Sequence, residues 1–350
     1  MKVNRKIVII GGGLSGLTLA YLLLQKNIKA TILEASSRLG GRIYTVKGNL
    51  GTPLELGATW FSDMHPHLLS LIRELDLQQF PQFSRGISLF QTKSFEAPQQ
   101  FFIPESEAPS YRLAGGTQML IEALAERLDR ADIHLNAKVT SARELPDGVI
   151  VTTEGGKAYE ADIAISCIPL PLAASLIAFS PQLPPSISGL LPTVQTWMAG
   201  AVKFTLEYGR PFWRDKGFSG MLYSHAGIIT EIYDHTSFRE DSFGITGFLN
   251  GNAALYSYDV RKELVLVQLG ELLGDEARQP VAYFDKIWND EWVSAGKQEI
   301  HRPHQNNGHP LLHMPYLNGK FFFCGTETAG EFAGYMEGAV IAAKAVLDRL

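Results

Sequence analysis

Cysteine is almost missing from this chain: Cys167 and Cys324 are the only two in 350 residues. Both sit inside apolar, strand-like runs. They read as small core residues of a reduced, cytoplasmic protein, and a disulfide scaffold is excluded. Basic charge is scarce too. The 31 Lys and Arg stand against 36 Asp and Glu, a net charge of −5, so no cationic footprint argues for nucleic acid or an anionic membrane surface. Long apolar runs are also lacking. The richest stretch, Leu14 to Leu24, contains Ser15, Gly16 and Thr18 and falls short of the roughly 18 residues a membrane-spanning helix needs. The first apolar run has no small-residue cleavage site behind it, so no signal peptide is read. With 45% hydrophobic and 19% charged residues, the composition is that of a globular chain of one large or two interleaved domains.

What the chain does have is a patterned beginning. Ile7 to Ile10 is a short apolar run, long enough for a buried strand and too short for a helix. Gly11, Gly13 and Gly16 follow in G-x-G-x-x-G spacing, where strand must turn into helix. The first glycine allows the tight turn, the second lets backbone approach a pyrophosphate, and the third lets the helix pack on the strand. A helix from about Gly13 to Lys26, opening through Leu14 and Ser15, then aims its N–H groups and positive dipole end at phosphate. A second strand, Ala30 to Leu33, ends at Glu34 and Ala35, the place for a carboxylate that accepts hydrogen bonds from a ribose. Strand, glycines, helix, strand and acid in register predict a dinucleotide.

Arg38, Gly40, Gly41 and Arg42 come next, giving E-x-x-x-R-x-G-G-R. Here the chain resembles the flavin-containing amine oxidases, the monoamine oxidase-like family. The resemblance implies an α/β fold: a Rossmann-type, glutathione-reductase-like FAD-binding domain with an interleaved α+β substrate domain and a shortened insertion. It assigns 1–77, 112–192 and 294–350 to the FAD domain, and 78–111 and 193–293 to the substrate domain. The R-x-G-G-R segment becomes a second clamp on the phosphate side of FAD. Two glycines let it lie against the cofactor, and Arg42 supplies a planar cation.

Several further segments carry the same resemblance. Gly57, Ala58, Thr59 and Trp60 match the run beneath the flavin ring, and Val139 the position whose backbone meets the adenine end. By pattern alone Lys203 lies on the polar, solvated face of an alternating strand and has no role. The resemblance instead makes it the lysine that holds a water at flavin N5, eight residues before Pro211 of P-F-W-R. Trp288 matches a tryptophan packed near the flavin. Gly325-Thr326-Glu327-Thr328 and Gly334-Tyr335-Met336-Glu337-Gly338-Ala339 match the C-terminal signature. It implies Glu327 toward the ribityl–phosphate side, Tyr335 as a cage wall over the ring, and the Met336 backbone at the pyrimidine oxygen.

The chain also departs from the family. Lys297 stands where the mammalian-type enzymes carry a flavin-bonded cysteine, which predicts non-covalent FAD. Gln298 stands where they have a second cage aromatic, leaving the cage half missing or rebuilt from Trp60 or Trp292. From Gln78 to Ser110 periodicity is lost among scattered phenylalanines, and the segment reads as an aromatic-rich piece of substrate domain or as loop packing. His301, His304, His309 and His313 match no compact metal spacing and read as loop histidines.

The implied activity is oxidation of an amine to an imine, with O2 reoxidising the flavin and giving hydrogen peroxide. The expected partners are a small-molecule amine and O2, with no nucleic acid and no membrane; a homodimer is allowed. Two alternatives stay open: a flavin-dependent dehydrogenase or desaturase of a bulkier C–C or C–N substrate using another electron acceptor, and a non-catalytic flavin-binding protein.

Overall fold

The computed structural model describes residues 5–289, 293 and 302–350. Lys297, Gln298, Trp292 and His301 lie outside the described residues. The strand Ile7–Ile10 is fully buried and forms the middle of a five-stranded parallel sheet. Its neighbours are Ile163–Ser166 and Ala30–Leu33, flanked in turn by Phe321–Phe323 and Ile133–His134. Alternation decides which side each residue serves. Ile7, Ile9, Ile163, Ile165 and Phe322 pack under the helices Leu14–Gln25, Gln118–Glu126 and Met336–Leu347. Val8, Ile10, Ala164, Phe321 and Phe323 pack on the other layer.

That other layer is a meander of Val139–Leu145, Gly148–Thr153 and Ala158–Ala161, with Ala178–Ser180 added in parallel. The antiparallel meander read from 133 to 168 is therefore too long at both ends. Ile133–His134 and Ile163–Ser166 leave it for the parallel sheet, because both faces of those strands find apolar cover.

The second large sheet has seven strands, in the order Ala282–Ile287, Val202–Tyr208, Phe243–Leu249, Ile229–Asp234, Phe218–Ser224, Gly86–Gln91 and Gln99–Ile103. Neighbours are antiparallel except for Phe218–Ser224 beside Gly86–Gln91. The stretch around 78–110, without readable periodicity, thus supplies two edge strands as a hairpin. Helix Tyr258–Leu273 is capped by Ser257, whose hydroxyl accepts from Val260 N at 3.4 Å. Its Val265, Leu269 and Leu273 pack with Phe204, Leu206, Ile232 and Ile245 on one face of this sheet.

The opposite face was expected to be solvated around Lys203. It is covered. Every residue of Val202–Tyr208 is buried, because the strand is central and the segment 48–57 crosses its polar side. The Thr246 hydroxyl donates to Glu55 O at 3.3 Å, and Glu207 accepts from Leu50 N and Thr52 N at 3.0 and 3.1 Å.

Candidate active site

A cavity of about 380 Å³ lies at the carboxyl ends of the parallel strands, the crevice where open α/β sheets bind ligands. Gly11, Gly13, Leu14, Ser15, Glu34, Ala35, Arg38, Gly40, Gly41, Arg42, Ala58, Val139, Trp288, Tyr335 and Met336 all line it. Gly16, Gly57, Thr59, Trp60, Lys203, Gly325 and Glu327 are not among its lining residues; they stand behind or beside it. Sequence reasoning missed Lys286, which faces the cavity from the strand pairing with Lys203. It also missed Cys167, which lines the cavity half-buried, while Cys324 stays in the core. The core assignment of Cys167 is corrected: the strand ends at Ser166, so Cys167 already belongs to the crevice.

The glycines divide the labour. A Cβ on Gly16 would lie 2.1 Å from Gly11 O, so this residue serves helix-on-strand packing. Gly11 takes φ +108, the turn itself. A Cβ on Gly13 would meet protein only at 4.0 Å, so that space is open toward the cavity. Both helices aimed at the crevice start without a side-chain cap, at Gly13 and at Tyr335. Their first N–H groups lack intrahelical partners, and two positive helix ends therefore converge on one cavity.

The acidic and basic residues shape the rim. Glu34 accepts from Gly12 N at 2.7 Å and Ser36 N at 2.8 Å, which fixes its carboxylate at the strand end. Arg38 donates to the carbonyls of Leu39, Gly41 and Ile43 and so braces the G-G loop from inside. Arg42 Nη1 lies 2.7 Å from Oε1 of the fully buried Glu327. The pair is close in charge, yet neither atom makes a well-aligned hydrogen bond, leaving Glu327 with acceptor capacity to spare. The polar helix ends, the open space over Gly13 and the unsatisfied Glu327 fit a dinucleotide-sized group with phosphates at its centre.

Gly57 has a different reason from the one expected of it. A Cβ there would sit 2.3 Å from Arg42 O and 2.5 Å from Tyr44 N, so the glycine lets this segment pack on the clamp. Its carbonyl then accepts from Lys203 Nζ at 2.8 Å, and Lys203 also bonds the Thr59 hydroxyl. Lys203 is 2% exposed. Burial pulls its pKa down to about 7, with buried Glu55 opposing the shift and Arg112 adding to it. Burial pushes Glu55 up, against a backbone bond from Thr117 and the charge of Lys203. Over the lysine stand the Trp60 ring at 4.8 Å and the Phe248 ring at 5.4 Å. Trp288 is held by its indole N–H, which donates to Leu56 O at 2.8 Å.

Tyr335 does not stand alone. Trp197 and His304 stack on each other at 4.4 Å between centroids, and each lies 6.0 Å from the Tyr335 ring, tilted 28° and 19°. His304, read as a loop histidine, is thus part of an aromatic wall. Nothing in its local sequence signals this, because Trp197 arrives from the far side of the substrate sheet. Among the described residues no group of three or more potential ligands could hold a metal ion.

Residues 14–94 and 88–349 match the family model of the flavin containing amine oxidoreductases. The chain belongs to that family. It is 25% identical to a probable flavin-containing monoamine oxidase A of Dictyostelium discoideum, over 95% of this chain and 94% of that one. It is 27% identical to the amine oxidase B of Sus scrofa, over 95% and 84%. Among solved structures, a putrescine oxidase bound to putrescine superposes with a TM-score of 0.85 at 21% identity, covering 99% of both chains. The cyclohexylamine oxidase of Brevibacterium oxydans IH-35A gives 0.84 at 20% identity, covering 98% of both. This family member is accordingly a flavin-dependent enzyme that oxidises amines, with FAD as its cofactor.

Proposed function

We propose that this enzyme oxidises a small primary or secondary amine to an imine on non-covalently held FAD, using O2 as acceptor. The observation that carries this reading is the pairing of two uncapped helix N-termini on one cavity with a buried, partly neutral lysine beside it. FAD would be held by the Gly11–Gly16 turn and Glu34 at its adenosine end, with Val139 beside the adenine. Arg42, Gly41 and Glu327 would lie along its phosphates and ribityl chain. Met336 and the helix behind it would face the ring, where a helix N-terminus stabilises negative charge. Bound flavin supplies the redox chemistry, taking two electrons and a hydrogen from the carbon beside the amine nitrogen and returning them to dioxygen as hydrogen peroxide.

The chain's own share is positioning and exclusion of water. Lys203 has its N–H donors committed to Gly57 O and Thr59, so in its neutral form the remaining lone pair at Nζ can accept a hydrogen from water. That water is then fixed beside the reacting carbon, ready for hydrolysis of the released imine. Tyr335, backed by Trp197 and His304, presents aromatic faces that attract the amine and align its alkyl chain. Trp60 and Trp288 wall the other approaches. Reduced Cys167 and Cys324 suit a cytoplasmic setting.

The test is direct. Purified protein should be yellow, acid precipitation should release all of its flavin, and anaerobic addition of an amine should bleach it, with peroxide appearing on admission of air. Flavin left in the acid pellet would refute non-covalent binding. A coloured protein that no amine bleaches, yet another donor does, would favour the dehydrogenase reading.

A further inference from the structure

We propose that Glu231 is a second cation site on the floor of the substrate space, so that the enzyme selects amines bearing a second ammonium group over monoamines of equal length. This deepens the proposed function and rests on it. Cross-strand partners point to the same face of a sheet. Lys203 pairs with Phe248, Phe248 with Glu231, and Glu231 with Tyr223, so all four side chains stand on the face that meets the flavin-side segment. Two strand spacings separate Lys203 from Glu231, about 10 Å between backbones.

Contacts bridge that gap with aromatic surface. The Trp60 ring is 4.8 Å from Lys203 Nζ on one side and 4.9 Å from the Tyr233 ring on the other. The Tyr233 hydroxyl donates to Glu231 Oε2 at 2.7 Å and meets the Tyr223 hydroxyl at 3.0 Å. Glu231 Oε1 accepts no hydrogen bond from a described residue, and Glu231 is only half-buried. A carboxylate held from one side by a tyrosine, open on the other and reached along aromatic faces is built to receive an alkylammonium. One end of a diamine would react beside Lys203 while the other lies at Glu231.

The experiment compares flavin-loaded wild type with E231Q, using an α,ω-diaminoalkane and the 1-aminoalkane of the same length. Loss of the charged contact should raise the diamine KM about 10- to 100-fold with kcat little changed, and leave the monoamine KM unmoved. E231D, which keeps the charge, should recover part of the diamine KM. Equal changes with both amines, or none with the diamine, would overturn the assignment. If neither amine is oxidised, the functional reading fails instead, and calorimetric titration of the diamine still decides. Binding lost in E231Q supports the site, while equal binding in both proteins, or none in either, removes it.

Discussion

Replacing Lys203 with methionine should make the enzyme slower and, at low pH, more stable. Folded, Lys203 holds its proton with a pKa of about 7; unfolded, it returns to 10.5. Between those values the unfolded chain binds more protons, so wild-type stability rises as pH climbs from 7 toward 10. At pH 6 both states are protonated and the burial penalty is complete, about 5 kcal/mol at 1.36 kcal/mol per unit. Lys203→Met removes that penalty, but it also strips the donor from Gly57 O, which costs about 1–3 kcal/mol. Buried Glu55 loses a favourable charge as well. The net expectation is roughly 2 kcal/mol of added stability at pH 6, about 4 °C in Tm. The sign should reverse by pH 10, where wild-type lysine is neutral in both contexts and keeps its hydrogen bonds. Calorimetry of both proteins with saturating FAD at pH 6, 8 and 10 reads this crossover. A Tm difference that stays constant across the range would refute the claim that burial neutralises Lys203. Stopped-flow reduction by an amine on the same samples should show the variant slower at every pH.

Gly57→Ala should drive a Cβ into the backbone at Arg42 and Tyr44, lowering Tm and leaving the purified protein poor in flavin by its 450 nm absorbance. Glu327→Gln should leave Arg42 without its buried counter-charge, a cost of about 1–3 kcal/mol after solvent screening of the arginine; equilibrium dialysis should show weaker FAD binding. Asp234→Ala should strip acceptors from Trp213 Nε1 and Arg214, destabilising by about 3–5 kcal/mol in denaturant titration.

The cofactor half was legible because its signals are local. The turn glycines, the strand before them and the acid after them all lie within one βαβ unit, where three or four residues decide the geometry. The substrate half was not, because its decisive contacts are remote in sequence. Alternation in Val202–Tyr208 reads as a half-solvated strand, and only the arrival of Gly57, 146 residues earlier, turns its polar side into interior. The hairpin Gly86–Gln91 and Gln99–Ile103 hid for another reason. Its outer strand is exposed along most of its length, with Phe101 and Phe102 in solvent, so no inside–outside pattern marks it. Gly57 illustrates a third kind of failure: its place was expected, but its cause was not, since the missing Cβ makes room for the clamp backbone.

The seam between segment 48–57 and the seven-stranded sheet explains why these distant pieces keep their relation. An apolar seam would be the more stable choice, since burying polar groups is favourable only when each finds its partner. This one is polar throughout, and the partners are there. Glu55 accepts from the Thr45 hydroxyl at 3.0 Å and from Thr117 N. Buried Arg112, its pKa lowered to about 10 by desolvation, contacts His235 Nδ1 at 3.0 Å and donates to Thr236 O. That contact makes Nδ1 the acceptor and leaves the ring proton on Nε2, so His235 is neutral, as burial beside Arg112 and Lys203 also demands. A hydrophobic seam tolerates sliding by fractions of an ångström; directional bonds do not. The segment that carries Gly57 and Trp60 is therefore registered against the strand that carries Lys203, and a lysine poised near neutrality can be held at one point beside the cofactor cavity.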